Sequence, residues 1–175
     1  MTSMSNGQPG TGTLVCYASK MGSTREIAEA IGAALGDTGQ RVTVLPVDEV
    51  SDLTPYGMVV LGSAVYLNRW RPEAVHFLKR HRDELAGREV WLFQSGPCGE
   101  RDASKQLPLP PKVQRLAAQI GARPPVTFGG RLEPATARGP VARWLARGEL
   151  AGDWRNWDQI RAWVARIADQ GVRHG

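Results

Sequence analysis

Sulfur is scarce in this chain, long apolar runs are missing, and the common nucleotide fingerprints are absent. Each absence excludes something. Two cysteines among 175 residues, Cys16 and Cys98, do not make a disulfide framework. A phosphatase-type loop needs an arginine six positions after its cysteine, where Gly22 and Ser104 stand instead. The histidines show no metal-ligand spacing. The best apolar stretch, residues 58–67, is interrupted by Gly62 and Ser63 and is shorter than the roughly 20 residues that span a bilayer. The opening MTSMSNGQPGTG has no apolar signal-peptide core and reads as a disordered leader over 1–12. The expectation is a cytoplasmic protein with one domain over 13–172.

The formal net charge is +5. The arginines are spread along the chain, most of them at helical spacing beside apolar residues, as in RNWDQIRAWVARIADQGVR. That distribution reads as solvated helix faces and gives no nucleic-acid patch. An anionic ligand and a peripheral contact with an anionic membrane are the other partner classes that the balance suits.

Strand and helix patterns alternate. The runs 13–19, 41–47, 58–65, 88–96 and 124–132 read as strands, and 58–65 has the continuous apolar character of a strand buried on both faces. Between them lie helical patterns. Ile27, Ile31, Ala34 and Leu35 share one face, and Gly36 and Gly39 are stop signals. Pro72 opens a helix through 85. Val113, Leu116, Ala117 and Ile120 mark another, and Trp157, Ile160, Val164 and Ile167 mark the last, which starts near Asn156. Five strands with intervening helices predict a three-layer α/β fold around a parallel sheet. Segment 133–152 has weak periodicity and reads as a surface loop with a short helix around 141–146.

Ligands of open parallel sheets bind beyond the carboxyl ends of the strands. The turn SKMGST, residues 19–24, lies there. Its backbone amides can converge on an anion at the positive end of the following helix. Ser19, Ser23 and Thr24 add hydroxyls, and Gly22 permits a strained dihedral or a close approach. An ordinary capped turn, with Ser19 or Ser23 as cap, is the plain alternative. The dinucleotide pattern G-x-G-x-x-G does not follow this strand, and G-x-x-x-x-G-K-[ST] occurs nowhere.

The spacing of Tyr17, Ser19, Gly22, Thr24, Ala28 and Ile31 resembles the flavodoxin signature, with Cys16 as a departure. The resemblance implies a flavodoxin-like sheet of order 2-1-3-4-5 and an FMN phosphate held by Ser19, Lys20, Met21, Gly22, Ser23 and Thr24, with Lys20 an exposed screen. It also implies that the flavin ring lies between two loops. One carries Ala64, Val65 and Tyr66, with Tyr66 and Trp70 as candidates to stack on the ring. The other is Ser95, Gly96, Pro97, Cys98 and Gly99, whose amides would address the pyrimidine edge. His76 and His81 read as solvated or interfacial. No residue is required as an acid or base, so none is singled out as catalytic.

Within that superfamily, VVLGSAVYLNRWRPEAVHFLKRHRDEL, FGGRL and GDWRNWDQIRAWVARIA are similar to the menaquinone-dependent protoporphyrinogen oxidase group. That similarity implies an oxidoreductase moving electrons from a reduced donor, such as a porphyrinogen, to quinone or a similar acceptor. The stretch after the fifth strand is shorter than that group's insert, although it keeps Arg138, Arg143, Trp144 and Arg147. The alternatives are an electron carrier without its own substrate, a deazaflavin-binding protein, and an interaction module without a cofactor.

Overall fold

Continuous apolar runs become interior strands here, because each is covered by helices on both faces. The computed structural model describes residues 9–20, 22–96, 106–132, 152–153 and 155–172. Its elements are β1 Gly12–Ala18, α1 Ser23–Asp37, β2 Val42–Pro46, a short turn of 3-10 helix Val47–Glu49, β3 Tyr56–Tyr66 and β4 Arg69–Trp70. There follow α2 Pro72–Arg80, α3 Arg82–Ala86, β5 Glu89–Ser95, α4 Pro111–Ile120, β6 Val126–Phe128, β7 Arg131–Leu132, β8 Gly152–Asp153 and α5 Trp157–Val172.

The main sheet runs β2-β1-β3-β5-β6, all parallel. With the two-residue β4 set aside, this is the expected order 2-1-3-4-5. β4 folds back antiparallel on β3, pairing Val65 with Trp70 and Tyr66 with Arg69. Leu14, Cys16, Val59, Leu61, Val90 and Leu92 point to one face, under α2, α3 and α4. Val15, Val60, Trp91, Phe93, Val126 and Phe128 point to the other, under α1 and α5. On that second face Trp163 of α5 sits edge-on to Trp91, Phe93 and Phe128, at 6.0, 6.1 and 5.6 Å between ring centroids. Such tilted contacts suit the charge distribution of aromatic rings.

Several expectations change. The run 124–132 is not one strand. Only Val126–Phe128 joins the sheet; Arg131–Leu132 turns away to pair antiparallel with Gly152–Asp153. The glycine pair 129–130 carries no side chain to hold the strand straight. The helix expected over 72–85 breaks at His81 (φ −102°, ψ 16°). That imidazole is not solvated: it is 4% exposed, its Nδ1 lies 2.9 Å from Glu84 Oε1, and its ring tilts against Phe77. His76 is exposed. Trp157 is not part of the buried stripe. It stands exposed at the start of α5 with the Arg155 guanidinium over its ring, and Trp163 takes the inward place beside Ile160, Val164 and Ile167. Residues 1–8 and 133–151, including the expected short helix, lie outside the described residues. Gly10 and Gly12 already donate to the Thr54 and Pro55 carbonyls, and β1 opens at Gly12.

Asn156 caps α5 as the sequence suggests: its Oδ1 accepts from the Gln159 amide at 3.1 Å. Asn156→Ala is expected to lower stability by about 1 kcal/mol, read by thermal denaturation. Among the described residues, no helix is long and apolar enough to cross a membrane.

Candidate functional site

The site begins with how β1 hands over to α1. Ser19 Oγ accepts from the Gly22 amide at 3.0 Å, closing a tight turn. Gly22 takes the N-cap position at φ +88°, a left-handed conformation that favours glycine. The N-cap is Gly22 and not Ser19 or Ser23, and a glycine makes no side-chain cap bond. The first helical bond runs from the Glu26 amide to the Gly22 carbonyl. The amides before it therefore project from the positive end of a 15-residue helix. Thr24 is 1% exposed, and among the described residues its Oγ1 has no hydrogen-bond partner. A buried hydroxyl left unpaired costs about 1–3 kcal/mol, so nearly all such groups are paired in folded proteins. An anion seated on this turn would pair it.

One cleft gathers Ser19, Lys20, Ser23, Thr24, Ala64 and Val65 from the expected set. Tyr66, Ser95 and Gly96 line it too. Lys20 is exposed, yet its Nζ stands 5.5 Å above the centre of the Tyr66 ring, joining the turn to the β3 loop. Met21, Pro97, Cys98 and Gly99 lie outside the described residues. Ser95 is buried, and the Gly96 amide donates to the Phe128 carbonyl at 3.0 Å.

Trp70 does not reach this cleft. It is 4% exposed, packed in the core, and its indole N–H donates to Gln94 Oε1 at 2.9 Å. The Gln94 amide in turn donates to the Leu107 carbonyl and to Thr127 Oγ1. The Gln106 side chain pairs with both backbone groups of Thr127, donating to its carbonyl and accepting from its amide. Residues 106–107 are thus sewn to β6, and Gly96 is tied to the same strand. Gly96 and Gln106, the described residues on either side of 97–105, are thus both held to β6.

Two lining residues were missed from sequence: Gly130 and Arg71. Arg71 donates from its amide to Ser63 Oγ, and its guanidinium meets Glu73 Oε1 at 2.9 Å. Among the described residues its buried Nε has no hydrogen-bond partner. Only Pro72 behind it, which fixes the start of α2, hinted that this arginine would be held in place. On the other side of the turn, Arg155 binds Asp153 and Glu26 of the first turn of α1. The hydrogen bond to Asp153 holds that guanidinium above the ordinary arginine range; burial opposes this, and Glu26 adds to it. The residues before α5 are thereby latched to the first turn of α1.

Cys16 is fully buried, and burial pushes its thiol far above the usual range, so it is no nucleophile. Among the described residues no group of histidine, cysteine and carboxylate side chains can hold a metal.

The sequence profile described as "Flavodoxin domain" matches residues 14–134. Comparison with curated proteins gave no match. Rubredoxin oxygen:oxidoreductase from Desulfovibrio gigas superposes with a TM-score of 0.64 at 15% identity, over 95% of this chain and 37% of its own. This chain therefore spans little more than a third of that protein. Oxidised flavodoxin 2 from Bacillus cereus superposes at 0.57 and 18% identity, over 91% of this chain and 99% of its own. The flavodoxin, WrbA-like protein from Agrobacterium tumefaciens gives 0.60 and 17%, over 95% and 100%. At these identities the likeness is one of fold.

Proposed function

This chain belongs to the flavodoxin-domain family, and from that premise we propose that it is an FMN-dependent oxidoreductase that passes electrons from a reduced donor to quinone or a similar acceptor. The observation that carries the cofactor is the unpaired Thr24 hydroxyl at the start of α1, whose N-cap is a glycine. A flavin phosphate is a dianion of the right chemistry for that turn. Ser19 shapes the turn, Gly22 lets the backbone approach, and Thr24 donates. Tyr66 and the Ser95–Gly96 corner border the cleft where the ring belongs. FMN, when bound, supplies one- and two-electron chemistry. The protein's part is to hold the phosphate, orient the ring and set its surroundings.

The finer assignment, to the protoporphyrinogen oxidase-like group, draws on the ring-loop sequence and on the tryptophan-rich opening of α5. The test is turnover. Protein loaded with FMN is expected to oxidise a porphyrinogen or comparable donor and to reduce a quinone. Failure of both reactions contradicts the reading. One observation favours a second reading, that of a carrier. Among the described residues lining the cleft there is no carboxylate and no imidazole to move a proton. Turnover only when a reductase and an acceptor protein are both supplied identifies that case.

A further inference from the structure

Glu26 is a carboxylate in an awkward place for a turn that holds an anion. It stands in the first turn of α1, shortly after Thr24. On a helix with no ligand that position suits an acid, because the positive end of the dipole favours a negative charge. Once an anion sits on the same helix start, the carboxylate competes with it for the dipole and repels it. Arg25, the neighbouring cation, is exposed and bonded to Glu29 instead.

Arg155 meets Glu26 from 129 residues away. Its Nη1 donates to Glu26 Oε2, while Nε and Nη2 fork onto the two carboxylate oxygens of Asp153, the first at 2.7 Å. The arginine side chain is 6% exposed, against 40% for Glu26 and 39% for Asp153. Burying a guanidinium costs free energy, and two half-exposed carboxylates do not need it for their own solvation. The guanidinium carbon also stands 4.8 Å from the centre of the Trp157 ring, which fixes it further. Asp153 is anchored in turn: β8 pairs with β7, which begins directly after Gly130 of the cleft. Two carboxylates against one guanidinium leave the trio with a single net negative charge; without the arginine that charge doubles.

We propose that Arg155 is a positioning residue that sets the anion preference of the β1–α1 turn. By holding and neutralising Glu26 it lets the start of α1 accept the dianionic phosphate of FMN, and so makes the site discriminate phosphorylated flavin from riboflavin. The inference rests on the flavin reading. It adds that the residues just before α5 determine which flavin the turn accepts, although neither Asp153 nor Arg155 lines the cleft.

The test is titration of FMN and riboflavin into the full chain as wild type, Arg155→Gln, Glu26→Gln and the Glu26→Gln/Arg155→Gln double variant. Arg155→Gln is expected to bind FMN about tenfold more weakly at low salt, and riboflavin within about twofold of wild type. Retained riboflavin binding also reports that the variant is folded. The double variant restores the net charge of the trio and is expected to recover FMN affinity. Glu26→Gln alone leaves Arg155 in place on Asp153 and is expected to bind FMN more tightly than wild type. Four outcomes overturn the proposal: an Arg155→Gln protein that keeps the wild-type preference for FMN, one that loses both flavins equally, a double variant no better than the single, or a Glu26→Gln protein that binds FMN more weakly. Each of these leaves the flavin reading standing. Wild type that takes up neither flavin overturns that reading, and this inference with it.

Discussion

Thr24→Val is expected to make the flavin-free protein more stable and its grip on FMN weaker. The two effects share one cause. Valine has the shape of threonine but puts a methyl where Oγ1 sits unpaired in a site 1% exposed. Removing an unsatisfied buried hydroxyl gains about 1 kcal/mol. For a chain of this size that raises the melting temperature by about 2–4 °C. The same hydroxyl would donate to the phosphate, and a hydrogen bond to a charged group contributes about 1.5–3 kcal/mol. FMN affinity should therefore fall about 10- to 100-fold. A merely structural threonine gives the opposite stability sign. Melting curves without flavin and an FMN titration decide between them.

Gly62→Ala is expected to cost about 3 kcal/mol, at the upper end of overpacking penalties. Gly62 lies on β3 directly across from Phe93 on β5, and the Phe93 ring covers it. A methyl there would stand 2.0 Å from Cζ and 2.3 and 2.4 Å from two further ring carbons. Carbon atoms pack at about 3.5–4.0 Å, so the ring must move. It has little room: Phe93 is fully buried, with Phe128 and Trp163 against it. The melting temperature should drop by about 6–12 °C, from the slope of about 2–4 °C per kcal/mol. Gly36→Ala is the control. It lies exposed in α1 with nothing within 4 Å of the added methyl, and it should gain up to about 1 kcal/mol. A Gly62→Ala protein that melts with the wild type would mean that Phe93 can swing away freely.

The fold was legible because a parallel sheet buried on both faces writes itself as apolar runs, and Val59 to Leu61 has no polar residue to place on a wet side. The tight turn between β1 and α1 was legible for a related reason: a strand ending in serine, then glycine, then a helix leaves few readings. What was hidden depended on tertiary placement. Trp157 and Trp163 both fit a helical stripe, but only the second lies over the sheet; the first is at the helix end and meets Arg155. Trp70 and Tyr66 were alike as aromatics in one loop, and the β3–β4 hairpin separates them. Its tip has both Leu67 and Asn68 at positive φ, 49° and 56°, and leucine gives no warning of that conformation. Arg71 looked no different from Arg69 until the turn before α2 set it at the cleft. The His81 break was masked by an unbroken helical pattern on either side.

We propose that the β1–α1 turn is built to hold the phosphate of a flavin. The most direct measurement is a cycle: FMN and riboflavin, which lacks the phosphate, each titrated into wild type and Thr24→Val. The expected result is that wild type prefers FMN by at least about a hundredfold, and that the variant loses FMN affinity but keeps its riboflavin affinity. Equal binding of the two flavins by wild type, or an equal loss of both in the variant, would contradict the account.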